Sequence, residues 1–178
     1  MNRESFRPGP LSEVHYEAAD AGWTVVFVRD LGHPPEKVWD ALTDPEQLAE
    51  WSPFVPDRDL GGVGDATLTM IDGETREDVS SQVLRAERPV LLEYSWDTDV
   101  LRWELEATGT GTRLTLRHTL RDRSWIPMVT AGWHLCLDVA EHLLDGDPVG
   151  PIRGGEAKNF GWAELRTAYA AKLDLPDA

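Results

Sequence analysis

Hydrophobic and polar residues alternate with period two through the middle of the chain. Five segments place their apolar residues on one side and are separated by turn sequences: 65–72, 74–87, 89–96, 100–107 and 112–122. Such alternation is typical of antiparallel strands with one packed face and one solvated face. An earlier run, 23–31, is rich in β-branched and aromatic residues and predicts a further strand, and 11–18 predicts a shorter one.

Helical periodicity flanks this meander on both sides. Segments 33–44 and 45–51 open with prolines and predict two short helices. Segments 131–145 and 157–175 predict longer helices in the C-terminal third, separated by a stretch rich in Gly and Pro. Since a sheet must cover its apolar face, we expect it to curl around the 131–145 helix. The pattern therefore predicts an α+β helix-grip fold, with Trp133, Leu137 and Leu144 buried against the concave face of the sheet.

The length of 178 residues predicts one domain with a substantial core. We assign residues 1–22 to an N-terminal tail and short strand, and residues 23–178 to a single helix-grip domain. The first ten residues contain Pro8, Gly9 and Pro10 and are expected to form a loose tail.

Composition narrows the possible partners and the compartment. The net charge is −15, from 32 acidic against 17 basic residues, which disfavours binding to a phosphate backbone and hence to nucleic acid. No apolar run reaches the length of a membrane span, and the N-terminus does not resemble a signal peptide. A single Cys excludes an intramolecular disulfide and suits a reducing compartment. We therefore expect a cytoplasmic location.

A cluster of histidines and acidic residues occurs within the predicted 131–145 helix. Its members are His134, Asp138, Glu141, His142 and Asp145. Advancing each residue by about 100° places them together on the narrower, polar arc of the helix. A zinc site needs three or four converging ligands, which one solvated helix face does not supply. We expect His134, Asp138 and Glu141 to be solvent-exposed and to bind no metal.

Several stretches resemble one known family. The stretch PPEKVWDALTDPEQLAEW is similar to the opening signature of the START-like, or SRPBCC, superfamily. PVLLEYSW, LRWELEATGTGTRLTLRHTLRDR and AGWHLCLDVAEHLLDG resemble the activator-of-heat-shock-protein-90-ATPase-like family in its bacterial stand-alone form, over residues 23–146. The resemblance implies a helix-grip fold, which commonly leaves a cavity between sheet and helix. It implies no single function, because the family includes co-chaperone domains and binders of lipid or polyketide ligands, and the superfamily includes aromatase/cyclases.

Inward-facing positions of the predicted strands and helix form the candidate ligand pocket. They are Met70, Tyr94, Trp96, Trp103, Leu105, Leu116, His118, Trp133 and Leu137. Alternation places His118 on the same face as Leu114, Leu116 and Leu120. It is either a core histidine satisfied by a backbone carbonyl or a tyrosine, or a polar anchor in a mostly apolar pocket.

No sequence motif defines a reaction. The chain lacks a phosphate-binding loop and a nucleophile elbow, and Cys136 falls on the buried arc of its helix. We assign no catalytic residue, metal or cofactor. The favoured function is binding of an apolar or aromatic small molecule. The alternatives are a protein-interaction module of the co-chaperone type and a cyclase or dehydratase that uses His118 and Tyr94 as acid and base.

Overall fold

An antiparallel sheet wraps around one long helix in the computed structural model, which describes residues 3–177. The strands of the described chain are β1 (Glu13–Ala19), β2 (Gly22–Leu31), β3 (Phe54–Pro56), β4 (Gly64–Asp72), β5 (Thr75–Glu87), β6 (Leu91–Trp96), β7 (Asp99–Ala107) and β8 (Thr112–Leu120). The helices are α1 (Pro35–Thr43), α2 (Pro45–Ala49), α3 (Ile126–Leu144) and α4 (Trp162–Lys172). Short 3₁₀ helices cover Arg3–Ser5, Arg123–Trp125 and Gly154–Phe160. The predicted α+β helix-grip fold is confirmed.

The sheet is a single antiparallel layer with the order β1-β2-β8-β7-β6-β5-β4-β3. Its register aligns inward-facing side chains into rows that cross the strands. One row pairs Tyr94 with Leu101, and Leu101 with His118. The next row pairs Trp103 with Leu116. The alternation seen in the sequence therefore produces one continuous apolar face, as a half-buried sheet requires.

Helix α3 fills the concavity of this sheet. Trp133, Leu137 and Leu144 are buried in the common core, as predicted. The helix begins at Ile126, earlier than the predicted start at 131, and Pro127 occupies its first turn, where a missing N–H costs nothing. Asp122 accepts a hydrogen bond from the backbone N–H of Ser124 and so stabilises the 3₁₀ turn that leads into α3. Within residues 3–177, no helix is both long and apolar enough to cross a bilayer.

The expectation of a loose N-terminal tail is wrong for the part of the tail that the structure describes. Phe6 is fully buried, with its ring edge-on to His142 and Phe160. Arg3 donates hydrogen bonds to the backbone carbonyls of residues 149–151 and pairs with Glu156. Composition predicted a loose tail, but a buried aromatic ring and an arginine hold this segment against the domain.

The predicted exposure of the histidine and acidic cluster is also wrong at its centre. His134 has no exposed surface, and the Asp138 side chain is only 11% exposed, whereas Glu141 remains 42% exposed. Helix α4 and the N-terminal segment cover this side of α3, through Tyr169 and the backbone of Gly9. Helical periodicity separates the apolar face of a helix from its polar face, but it does not show which other segments pack on the polar face.

Candidate functional site

An apolar cleft of about 440 Å³ lies beside α3, at one end of the space between helix and sheet. We call it the α3 cleft. Its lining comes from the sheet, from α3, from the loop after α2 and from the C-terminal segment: Pro53, Trp96, His118, Trp125, Met128, Val129, Gly132, Trp133, Cys136, Gly154 and Trp162. Its volume falls within the range of small-molecule sites, and its wall is predominantly apolar and aromatic, as such sites usually are.

One stripe of α3 forms the longest wall of the cleft. Met128, Gly132 and Cys136 succeed one another at i, i+4 and i+8, so they lie on the same face of the helix. Gly132 is the centre of this stripe and lies in the interior of a continuous helix of 19 residues. A Cβ placed on Gly132 would meet no heavy atom within 4 Å outside its own helical turn. The glycine is therefore not required by packing, although it costs the helix about 0.5–1 kcal/mol relative to alanine.

A hydrogen-bonded chain links the helix wall to the sheet wall. The indole N–H of Trp133 donates to His118 Nδ1 at 2.9 Å, and His118 Nε2 lies 2.8 Å from Asp99 Oδ2. Because an indole N–H can only donate, Nδ1 must be the acceptor nitrogen of the neutral imidazole, and Nε2 carries the proton towards Asp99. Both nitrogens of His118 are thus occupied within the protein. The centres of the Trp96 and His118 rings are 5.7 Å apart. Because both nitrogens are bonded, His118 offers a bound molecule ring surface but no free nitrogen.

The structure brings three of the nine predicted pocket residues to the α3 cleft: Trp96, His118 and Trp133. Met70 lies next to it, since its sulfur accepts the indole N–H of Trp96 at 3.3 Å. The remaining five are packed in the core: Tyr94, Trp103, Leu105, Leu116 and Leu137. The centre of the sheet–helix interface is filled by large side chains, and the open space is displaced towards the N-terminal half of α3.

His118 and Tyr94 do not form an acid–base pair. Tyr94 Oη accepts a hydrogen bond from Trp103 Nε1 at 3.3 Å, whereas His118 binds Trp133 and Asp99. Burial raises the pKa of Tyr94 above its ordinary value, and the smaller effect of the hydrogen bond from Trp103 opposes this. A fully buried, neutral phenol outside the cleft is poorly placed to move a proton to or from a bound molecule. Nothing in this geometry favours the cyclase interpretation.

Cys136 lines the cleft as a neutral thiol. Burial raises its pKa to about 12, against a smaller opposing effect of the Arg153 charge. A thiolate is the nucleophilic form of cysteine, so this side chain is inert at neutral pH and contributes apolar surface.

Sequence reasoning missed most of the helical and C-terminal wall of the cleft, including Trp125, Met128, Gly132 and Trp162. One local signal was available. The glycine at position 132 lies in a strongly helical segment, one turn from Met128 and from Cys136, and such a glycine calls for a packing or functional reason. Trp162 gave no such signal, because its position depends on how the chain returns after α3.

A second depression, of about 560 Å³, lies between β4, β5 and β6. Its lining is polar and includes Asp57, Asp65 and Asp97. Over residues 3–177, no group of three His, Cys, Asp or Glu side chains is arranged to hold a metal ion, here or elsewhere. We place the candidate binding site in the α3 cleft, because apolar and aromatic walls distinguish a ligand site from a solvated surface depression.

Comparison with known families agrees with this architecture. The family model described as Activator of Hsp90 ATPase homolog 1-like protein matches residues 32–145. The chain belongs to this family. The matched region runs from the start of α1 to the end of α3. Most of the residues that line the α3 cleft therefore lie within the matched domain. No curated protein matches the chain significantly.

Solved structures extend the comparison to nearly the whole chain. A conserved protein of unknown function from Enterococcus faecalis is 16% identical, with a TM-score of 0.68 over 90% of each chain. CalU16 from Micromonospora echinospora is 23% identical, with a TM-score of 0.65 over 90% of this chain and 95% of its own. A protein from Mesorhizobium loti is 30% identical, with a TM-score of 0.61 over 69% of this chain and 97% of its own. The first two likenesses establish the shared fold alone.

Proposed function

We propose that this chain is a small-molecule-binding domain whose ligand occupies the α3 cleft. The observation that carries the proposal is Gly132, which holds open the middle of an apolar cleft of about 440 Å³ and has no packing reason to be glycine. A helix under no other requirement gains stability from alanine at such a position. Membership of a START-like family, whose fold commonly encloses ligands, supports the same function.

The test compares two substitutions at Gly132. Gly132→Ala adds one methyl group and should raise the free energy of unfolding by about 0.5–1 kcal/mol. Gly132→Phe should place a ring in the cleft. We expect the neutral fluorescent probe N-phenyl-1-naphthylamine to bind the wild-type chain saturably and to bind Gly132→Phe at least tenfold more weakly, with cooperative unfolding retained in both variants. Equal affinity for wild type and Gly132→Phe would place the ligand elsewhere.

A protein-interaction module is the second candidate function, and one observation favours it. Trp125 is 57% exposed at the edge of the cleft, and large exposed aromatic residues are enriched in protein interfaces. A partner side chain could then occupy the cleft in place of a free ligand. The absence of saturable probe binding to the folded wild-type chain would favour this second candidate over the first.

A further inference from the structure

Four of the eight tryptophans of the chain line the α3 cleft. Trp96 ends β6, Trp125 ends a 3₁₀ helix, Trp133 lies in α3 and Trp162 begins α4. Four separate parts of the fold therefore converge to bring indole rings to one space. A cleft that selected only for apolar volume would be lined as well by aliphatic side chains, which are common in this core.

Two of these indole rings have no aromatic partner within the described chain. Trp96 packs edge-on to Phe54 and Trp133, and Trp133 packs edge-on to Trp103. By contrast, neither Trp125 nor Trp162 makes a ring–ring contact with the described residues, and Trp162 contacts only the Arg166 guanidinium in this way. Aromatic rings gain energy from offset-stacked or edge-to-face partners. Trp125 and Trp162 thus offer unused ring surface to a bound molecule.

The lining of the cleft carries no charged side chain. Its principal polar groups are already engaged, since the indole N–H groups of Trp96 and Trp133 bind Met70 and His118. The cleft beside it shares Trp125 and Val129 and is lined by Asp97, Asp99 and Asp122, with Arg121 as its one cation. Two cations border the lining, but both are engaged: Arg153 donates to the carbonyls of Ser52 and Ala49, and Arg166 Nε lies 2.9 Å from Asp177 Oδ1. An anionic ligand would therefore lose hydration inside the cleft without gaining an unpaired counter-ion, and on the side of Trp125 it would meet a net negative rim.

We propose that the ligand of the α3 cleft is a polycyclic aromatic compound that bears no negative charge and is held by stacking against tryptophan rings. This inference rests on the proposed function and adds the chemical class of the ligand. Fatty acids and aromatic carboxylates are disfavoured, because the lining carries no charge and the cations that border it are already paired. Saturated ring compounds of equal volume are disfavoured because they cannot stack on the indole rings of Trp125 and Trp162.

The test uses three compounds that share one carbon skeleton: 2-naphthol, decahydro-2-naphthol and 2-naphthoate. Calorimetric titration into the full chain at pH 7 and low salt should show 2-naphthol binding at least fivefold more tightly than its saturated analogue. The affinity of 2-naphthoate should be at least tenfold weaker than that of 2-naphthol, and this penalty should shrink as added salt screens the acidic rim. Added salt should not change the ratio of the affinities of the two neutral compounds, 2-naphthol and decahydro-2-naphthol.

Two variants assign the selectivity to stacking. Trp125→Leu and Trp162→Leu keep apolar contact but remove the ring, so each should lower the preference for 2-naphthol over decahydro-2-naphthol. Leu84→Ala, at an exposed position that does not line the cleft, should leave that preference unchanged. Equal binding of the saturated compound, or tighter binding of 2-naphthoate, would overturn the inference and leave the proposed function standing. Failure of all three compounds and of N-phenyl-1-naphthylamine to bind would reject the proposed function itself.

Discussion

Trp133 and His118 join helix α3 to strand β8 through a buried hydrogen bond of 2.9 Å. Asp99 completes the chain from β7, so three elements are fixed relative to one another by two polar contacts. Both rings are almost fully buried. His118 is therefore a core residue with both ring nitrogens bonded, and it orients one wall of the α3 cleft. Its partners are a tryptophan and an aspartate, whereas the sequence analysis expected a backbone carbonyl or a tyrosine.

Replacing His118 should destabilise the fold. His118→Leu leaves the Trp133 N–H buried without an acceptor, and an unsatisfied buried donor costs about 1–3 kcal/mol. Urea denaturation followed by tryptophan emission measures the loss. Trp133→Phe removes the donor, so the double variant should lose less stability than the sum of the two single variants. Strict additivity would show that the hydrogen bond contributes nothing.

The buried Asp138 should make stability depend on acid pH. Burial opposes its ionisation, but hydrogen bonding to His134 and the nearby Arg29 charge hold the pKa of Asp138 below its ordinary value. A carboxyl group with a lowered pKa stabilises the fold fully above its unfolded pKa, about 3.9, and loses this contribution as the pH falls through the folded pKa. Asp138→Asn should therefore cost about 3 kcal/mol at pH 7, because the buried Arg29 guanidinium loses its nearest carboxylate and keeps only the more distant Glu141, at 3.7 Å, among the described ion pairs.

Denaturation curves from pH 7 to pH 2 provide the measurement. The difference in the free energy of unfolding between wild type and Asp138→Asn should be constant from pH 7 down to about pH 4 and should shrink at lower pH. Asp145→Asn is the matched control, because Asp145 ends the same helix but its side chain is 58% exposed, so its loss should cost less than about 1 kcal/mol. A pH-independent difference for Asp138→Asn would mean that its ionised form is not what stabilises the fold.

The sheet was predictable because its pattern is local. Leu114, Leu116, His118 and Leu120 alternate with polar residues, and their burial follows from that alternation alone. Even His118 was placed on the correct face. The helix around which the sheet curls was predictable for the same reason, since the apolar arc of α3 is wider than its polar arc.

The surroundings of α3 were not predictable from any local pattern. His134 is polar and was assigned to solvent, yet Tyr169 from α4 reaches its Nδ1 at 2.7 Å, and Ser12 donates to the same Tyr169 oxygen. These contacts join positions that are far apart in sequence, so helical periodicity carries no information about them. The α3 cleft was misplaced for a similar reason, because Trp162 reaches it only through the path of the irregular segment that precedes α4.

Cys136 should be unreactive in the folded chain. Because burial raises its pKa to about 12, the thiolate fraction at pH 8 is negligible, whereas an unperturbed thiol of pKa about 8.5 is partly ionised there. Iodoacetamide should alkylate the chain rapidly in urea and very slowly under native conditions, as mass spectrometry would record. The rate for the folded chain should show no inflection between pH 7 and pH 10. An inflection near pH 8.5 would show that the thiol is solvated.

The N-terminal segment should contribute to stability as a docked part of the domain. Phe6 is fully buried between His142 and Phe160, and the Arg3 guanidinium lies 5.3 Å from the centre of the Phe160 ring. Truncating a buried aromatic side chain typically costs about 3–5 kcal/mol, so Phe6→Ala should lower the urea midpoint substantially.

Leu11→Ala is the control from the same segment, because Leu11 is 39% exposed and its loss should cost less than about 1 kcal/mol. Phe6 does not line the α3 cleft, so the folded fraction of Phe6→Ala should bind N-phenyl-1-naphthylamine with unchanged affinity. If the two substitutions had equal, small effects on the midpoint, residues 3–10 would be a loose tail after all, as their composition first suggested.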